Sequence, residues 1–215
     1  MAQLFHRRFG FLLRLGMLTT VLLLAVLVFV WRAGMAYPAG DHEALEQPVP
    51  FSHKHHVGDD GLDCRYCHSS VESSAFAGIP PLSTCMTCHS QLYTDQPVLA
   101  PLIAAYRSGV AFQWQRLHKL PDFVYFNHSV HIAKGVGCVS CHGQVDQMPL
   151  TARVAPLTMQ WCLDCHRDPE AHLRPLDQVF NLHWQPQNAA TLGAQLLHAY
   201  HIDKRRLTDC SICHR

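Results

Sequence analysis

Five times the chain sets two cysteines around a two-residue gap with a histidine directly behind the second: Cys64, Cys67 and His68; Cys85, Cys88 and His89; Cys138, Cys141 and His142; Cys162, Cys165 and His166; Cys210, Cys213 and His214. These motifs use all ten cysteines. Two thiols at that spacing can add to the two vinyl groups of one porphyrin as thioethers, and the residue that follows is then held under the iron as an axial ligand. The pattern reads as five covalently bound haem c groups, with His68, His89, His142, His166 and His214 as proximal ligands. Zinc could use the paired thiolates, an exported protein could join them as disulfides, and a redox dithiol could account for one pair. None of these needs the histidine. At 17 His in 215 residues, its chance placement behind all five pairs comes to about three in a million.

A proximal histidine fills one axial position, so a six-coordinate iron needs a second ligand from the opposite face. Phe51-Ser52-His53-Lys54-His55-His56 is echoed 75 residues later by Phe126-Asn127-His128-Ser129-Val130-His131, and each phrase leads into two haem motifs. The chain thus repeats a unit of two distal histidines followed by two attachment sites. Histidines at i and i+3 share a helix face and point the same way, so His53 and His56, like His128 and His131, are expected to serve two different irons. His55 has no counterpart in the second phrase.

The repeats leave one iron without a sixth ligand. Met148, Met159, His118 and the pair His198 and His201 are the candidates. A methionine thioether raises a haem's potential, a histidine keeps it lower, and the residues alone divide the choice evenly.

The elements that position these groups follow from the same order. Residues 1–36 form a cytoplasmic tip and transmembrane anchor, 37–100 a first dihaem module, 101–125 a connector, 126–175 a second dihaem module and 176–215 a C-terminal monohaem segment. Leu15 to Trp31 carries no charge, and extended back to Phe9 with Arg14 snorkelling it is long enough to span a bilayer. Arg7, Arg8 and Arg14 precede the run, whereas Arg32 and then Asp41, Glu43 and Glu46 follow it. That asymmetry keeps the N-terminus in the cytoplasm of a bacterial inner-membrane protein and places the haem domain in the periplasm, with a single pass. A cleaved signal peptide is the alternative, since Gly34-Met35-Ala36 offers small residues, but the apolar run exceeds the usual signal length.

The expected fold class is a multihaem cytochrome c, in which short helices and irregular loops wrap five haems, with one N-terminal transmembrane helix. Leu99 to His118 reads as a short helix broken near Gly109, and Leu192, Leu196, Leu197 and Tyr200 have the spacing of one packed helix face. A formal charge of +1 gives no footprint for nucleic acid. Haem propionates would make the loaded protein roughly ten units more negative, so some of the 17 Lys and Arg are expected to compensate them.

Laid out in this way, the chain resembles the pentahaem cytochrome c subunit of alternative complex III, a quinol-oxidising assembly, and is similar to cytochrome c subunits of polysulfide reductase-type complexes. The resemblance rests on Phe51-Ser-His53 with His56, Cys64-Arg-Tyr-Cys67-His68, Ala77-Gly-Ile-Pro-Pro81, Leu120-Pro-Asp-Phe-Val-Tyr-Phe-Asn-His128, Trp161-Cys-Leu-Asp-Cys-His-Arg167 and Asp209-Cys-Ser-Ile-Cys-His-Arg215. The linking phrases are more specific than the bare motifs. It implies an electron-transfer subunit with no substrate chemistry of its own. Its partners would be membrane quinol-oxidising subunits, an iron–sulfur or molybdopterin-type subunit, and a periplasmic cytochrome or terminal oxidase as acceptor. It also implies one His/Met haem, which favours Met148 over His118 and Met159. His55, His198 and His201 depart from the family pattern. Two other classes are a self-contained membrane-anchored quinol dehydrogenase and a multihaem reductase with an open axial site. No motif here replaces the proximal histidine by lysine, as such a reductase sometimes does.

Overall fold

The computed structural model describes residues 7–35 and 44–214. Ala36, Asp41, Glu43 and Arg215, which entered the reading of the anchor's flank and the last motif, lie outside the described residues. Residues 1–39 and 40–215 form two units.

In the first unit, α1 (Arg7–Met35) is a single helix of 29 residues. At 1.5 Å per residue it is about 44 Å long, more than the roughly 30 Å of a hydrocarbon core. Within its stretch Arg8–Arg32 an 18-residue window reaches a mean hydropathy of 2.4, so by length and composition it can cross a membrane. The hydroxyls of Thr19 and Thr20 both donate to the carbonyl of Gly16 at 2.9 Å, which pairs them within the helix.

The second unit is built from short helices. A π-helical turn, Lys54–Asp59, follows His53; then come α2 (Cys64–Cys67), α3 (Leu82–His89), α4 (Ala100–Ser108), α5 (His128–Ala133), α6 (Val139–His142), α7 (Met159–Arg167), α8 (Ala189–Ala199) and α9 (Cys210–Cys213). Among the described residues, extended pairing is limited to isolated bridges such as Val124 with His214 and Val136 with Leu173. The buried apolar side chains are few: Val49, Val71, Leu102, Ile103, Ala155, Leu173, Val179 and Leu182. Such a core is small for this many residues, as expected where cofactor faces supply the missing apolar surface.

Side-chain caps start the helices that carry the chemistry. Asp63 accepts from the Arg65 amide at 2.8 Å ahead of α2, Asn127 from Ser129 at 3.0 Å ahead of α5, and Thr158 from Trp161 at 3.3 Å ahead of α7. α4 runs on from a 3-10 turn at Pro97–Leu99 and stops at Gly109, whose φ of 69° is left-handed. On α8, Leu192, Leu196 and Leu197 are half-buried, as is Tyr200 just after it, while Gln195 and His198 are exposed.

The two sequence repeats interlock. The Lys54 amide donates to the Met148 carbonyl at 3.0 Å, and the Ser129 amide donates to the Ser74 carbonyl at 3.1 Å. Lys54 and Ser129 are equivalent residues of the two distal phrases. Ser74 and Met148 each stand six residues beyond the first histidine motif of their repeat, at His68 and His142. Each repeat's distal phrase is therefore docked on the loop after the other repeat's first motif, in reciprocal fashion.

Candidate haem sites

Each Cys-x-x-Cys-His motif lies on or at the edge of one short helix, α2, α3, α6, α7 or α9. One turn therefore presents both sulfurs and the imidazole together. No two of the ten cysteines are joined as a disulfide. Burial is the main force raising the Cys138 thiol to about 11 and the Cys141 thiol to about 12, and it also raises Cys64, Cys67, Cys85, Cys162, Cys165 and Cys213. A thioether carries no charge and suits such surroundings. Among the described residues, no three His, Cys, Asp or Glu side chains converge as a metal cluster.

The histidines meet in opposed pairs. His53 faces His68 with ring centroids 6.5 Å apart and planes 9° from parallel. His56 faces His89 at 6.1 Å and 68°. In the second repeat His128 faces His142 at 6.4 Å and 12°, and His131 faces His166 at 6.2 Å and 29°. With about 2 Å from an imidazole nitrogen to its metal and about 1.1 Å from nitrogen to ring centre, two rings facing across one iron have centroids about 6.3 Å apart. The donor set thus fits an iron porphyrin between each pair. The i and i+3 histidines of each phrase do go to different partners.

Hydrogen bonds fix which ring nitrogen is free. A carbonyl can only accept, so an Nδ1 bonded to one carries the proton and leaves Nε2 with its lone pair. Nδ1–H of His56 donates to Ser52, His68 to Gly78, His89 to Leu92, His128 to Ala75, His131 to Asn127, His166 to Leu207 and His214 to Phe123, at 2.7 to 3.3 Å. His53 Nδ1 bonds the Thr151 hydroxyl at 2.7 Å. Protonation is disfavoured as well. Burial, then His68 and His56 nearby, lower His53 to about 4, and burial with His118 and His128 next lowers His142 to about 3. Phe51 stacks on His56 at 4.5 Å and 20°, and Phe126 on His131 at 4.5 Å and 26°, so the repeated phenylalanine orients the second histidine of each phrase.

The remaining sequence candidates fall elsewhere. Met148 is half-buried, with its Cε 3.5 Å from where a Cβ on Gly143 would lie, beside Val154 at the turn after His142. Met159 is 68% exposed at the start of α7. His198 and His201 are exposed, and His55 turns outward to Asp60 at 3.6 Å. His118 lies edge-on to His142 at 4.4 Å, and its Nε2 is buried without a partner. His214 is held by the bridge to Val124 and lies against Phe123, ring centroids 5.8 Å apart.

Neighbouring motifs can be traced through their electrostatic contacts. Cys85 acts on Cys67, Cys64 on Cys138, Cys162 and Cys165 on Cys141, and Cys213 on Cys162. Tyr66 inside the first motif also bonds Thr87 inside the second at 2.7 Å. The motifs therefore neighbour one another in the order second, first, third, fourth, fifth.

Residues 124–215 match the family model of cytochrome c7 and related cytochromes c. Over this part the chain is similar to multihaem cytochromes c. It is 40% identical over 121 residues to the "Menaquinone reductase, multiheme cytochrome c subunit" of Nitratidesulfovibrio vulgaris (strain Hildenborough), a match covering 56% of the chain and 55% of that relative. The chain thus aligns with about half the length of that curated relative.

Several residues at these sites carry no motif signal. Thr151 orients His53, and Asp146, buried at 7% exposure, pairs with His183 at 2.5 Å. Gly78 lies within Ala77-Gly-Ile-Pro-Pro81, and its carbonyl, which accepts from His68 Nδ1, gives that stretch a role.

Proposed function

We propose that the chain carries five haem c groups and serves as the electron-relaying subunit of a membrane quinone-linked complex. The observation that carries this reading is the set of four opposed imidazole pairs, each at the separation one iron requires. When bound, the haems supply one-electron redox chemistry. The chain's own residues attach them through the ten cysteines, cap four irons with His53, His56, His128 and His131, and hold each ligand ring by a hydrogen bond behind it. Rings so held stay in place in both oxidation states, which keeps reorganisation small. By the resemblance to the alternative complex III subunit, His214 and Met148 would hold the fifth haem.

The motif order supports a linear relay with the second and fifth motifs at its ends. α1 supports a single-pass anchor with the haem domain outside the cytoplasm, and the basic N-terminal flank supports that orientation. Partners follow from the same reading: quinone-handling membrane subunits, an iron–sulfur or molybdopterin-type subunit, and a periplasmic cytochrome or terminal oxidase. The relative's name, a menaquinone reductase subunit, supports a second direction of flow, with electrons passing toward the quinone.

The test uses the full chain isolated from its native membranes with its partners. A denatured mass five haems above the polypeptide and a covalent haem absorption signature are expected. Carbon monoxide should leave the ferrous spectrum almost unaltered. A large, fast change would instead mark an open iron and a reductase, and quinol oxidation by the isolated chain would mark a self-contained dehydrogenase.

A further inference from the structure

Arg174 is buried, at 7% exposure, whereas Arg65, Arg167 and Arg205 lie in surface pairs. Its guanidinium packs against the backbone before Cys138: a Cβ on Gly137 would come within 2.3 Å of both its Cζ and its Nε. Nη1 donates to the carbonyls of Asn181 at 2.9 Å and Gln178 at 3.4 Å, and Cζ stands 5.2 Å from the centre of the Trp184 ring. Its own carbonyl accepts from the Tyr200 hydroxyl, and its amide donates to Gly135. The side chain is thus built into place on every side. Its Nε has no partner, and among the described residues no carboxylate pairs with it. The charged side chain that acts on it is Cys138, a sulfur that is uncharged once it is a thioether.

A buried cation costs folding free energy when nothing compensates it, so its retention beside one attachment site calls for a use. We infer that Arg174 is a positioning charge for the third haem site, raising the reduction potential of the iron between His128 and His142. Reduction adds one electron to ferric iron and removes one positive charge from the site. A fixed guanidinium held in a low-dielectric wall favours the reduced form. The third motif stands at the middle of the relay order, between the first and the fourth, so a raised potential there makes it the point where electrons pause.

This inference rests on the haem reading above, and the two fail differently. Absence of covalent haem in the native chain would end the haem reading before Arg174 is examined. For the inference itself, the haem-loaded full chain and its Arg174→Gln and Arg174→Lys variants are titrated potentiometrically, with haem content measured by denatured mass. With Gln, one component is expected to need an ambient potential lower by about 59 mV, a tenfold fall in its reduced-to-oxidised ratio. Lys, which keeps the charge, is expected to restore most of that shift. Full haem content with unmoved potentials in Arg174→Gln overturns the inference, as does an equal loss in Lys and Gln. Should Arg174→Gln not load haem, Gly137→Ala displaces the guanidinium without removing it. A smaller downward shift of one component is then expected, and an unmoved titration overturns the inference equally.

Discussion

The imidazoles of His56 and His89 meet at 68°, whereas those of His53 and His68 lie within 9° of parallel, although both pairs belong to one repeat. The two rings are held by different partners. His56 stacks on Phe51 and donates to Ser52 within its own turn, while His53 leans on Thr151 of the other repeat. Crossed axial imidazoles leave the iron's d orbitals nearly degenerate, and parallel ones split them. The ferric protein is therefore expected to show a strongly anisotropic low-spin electron paramagnetic resonance signal beside rhombic ones. The anisotropic signal alone should vanish in His56→Ala. A spectrum of one class only would remove this assignment.

His128 joins two functions, since its Nδ1 and its amide both donate to Ala75 while its ring faces His142. Truncation in His128→Ala should open one iron and leave three bis-histidine sites closed. Carbon monoxide titration of the ferrous variant is expected to show one new binding equivalent per chain. Its Tm should also fall, because one side of the reciprocal docking between repeats is weakened.

Parts of this arrangement are legible in the sequence for a physical reason. Haem attachment would demand fixed residue types at fixed spacing, and a doubled phrase marks its own histidines, so His53, His56, His128 and His131, each of which faces a motif histidine, could be set apart from His55. The helical face of Leu192, Leu196 and Leu197 is likewise written in periodicity. Arg174, Thr151 and His183 carry no such mark. Their roles come from contacts between segments up to 98 residues apart, as between His53 and Thr151, which no local spacing encodes. The order of the motifs was hidden for the same reason: the third follows the second in sequence but neighbours the first in space.

Asp63 caps α2, accepting from the Arg65 amide at 2.8 Å and pairing with the Arg65 guanidinium at 2.7 Å. Those hydrogen bonds lower its pKa from 3.8 to about 2. The folded value lies below the unfolded one, so the pair's stabilisation is complete above about pH 4 and is lost as pH falls toward 2. Both side chains are about half exposed, so solvent screening leaves the ion pair little net weight. Asp63→Ala also removes the cap, at a cost of about 1 kcal/mol. Urea unfolding of the loaded protein at pH 7 and at pH 3 should show the variant's deficit shrinking at the lower pH. A deficit that stays constant would mean the cap acts without the charge.

Met148 has a seat and a chemistry that point to different jobs. Its carbonyl takes the Lys54 amide, and its Cε lies close to Gly143 beside Val154, at the third motif. A thioether there fills space as methionines commonly do. The same thioether as the sixth ligand over His214 would give the highest potential of the chain. Met148→Ala separates these, because an alanine carbonyl can still accept from Lys54 and keep the repeats docked. Loss of the highest-potential step in a redox titration assigns Met148 to the iron. A titration that keeps every step, with only a lower Tm, assigns it to packing at Gly143 and leaves the ligand opposite His214 to another residue.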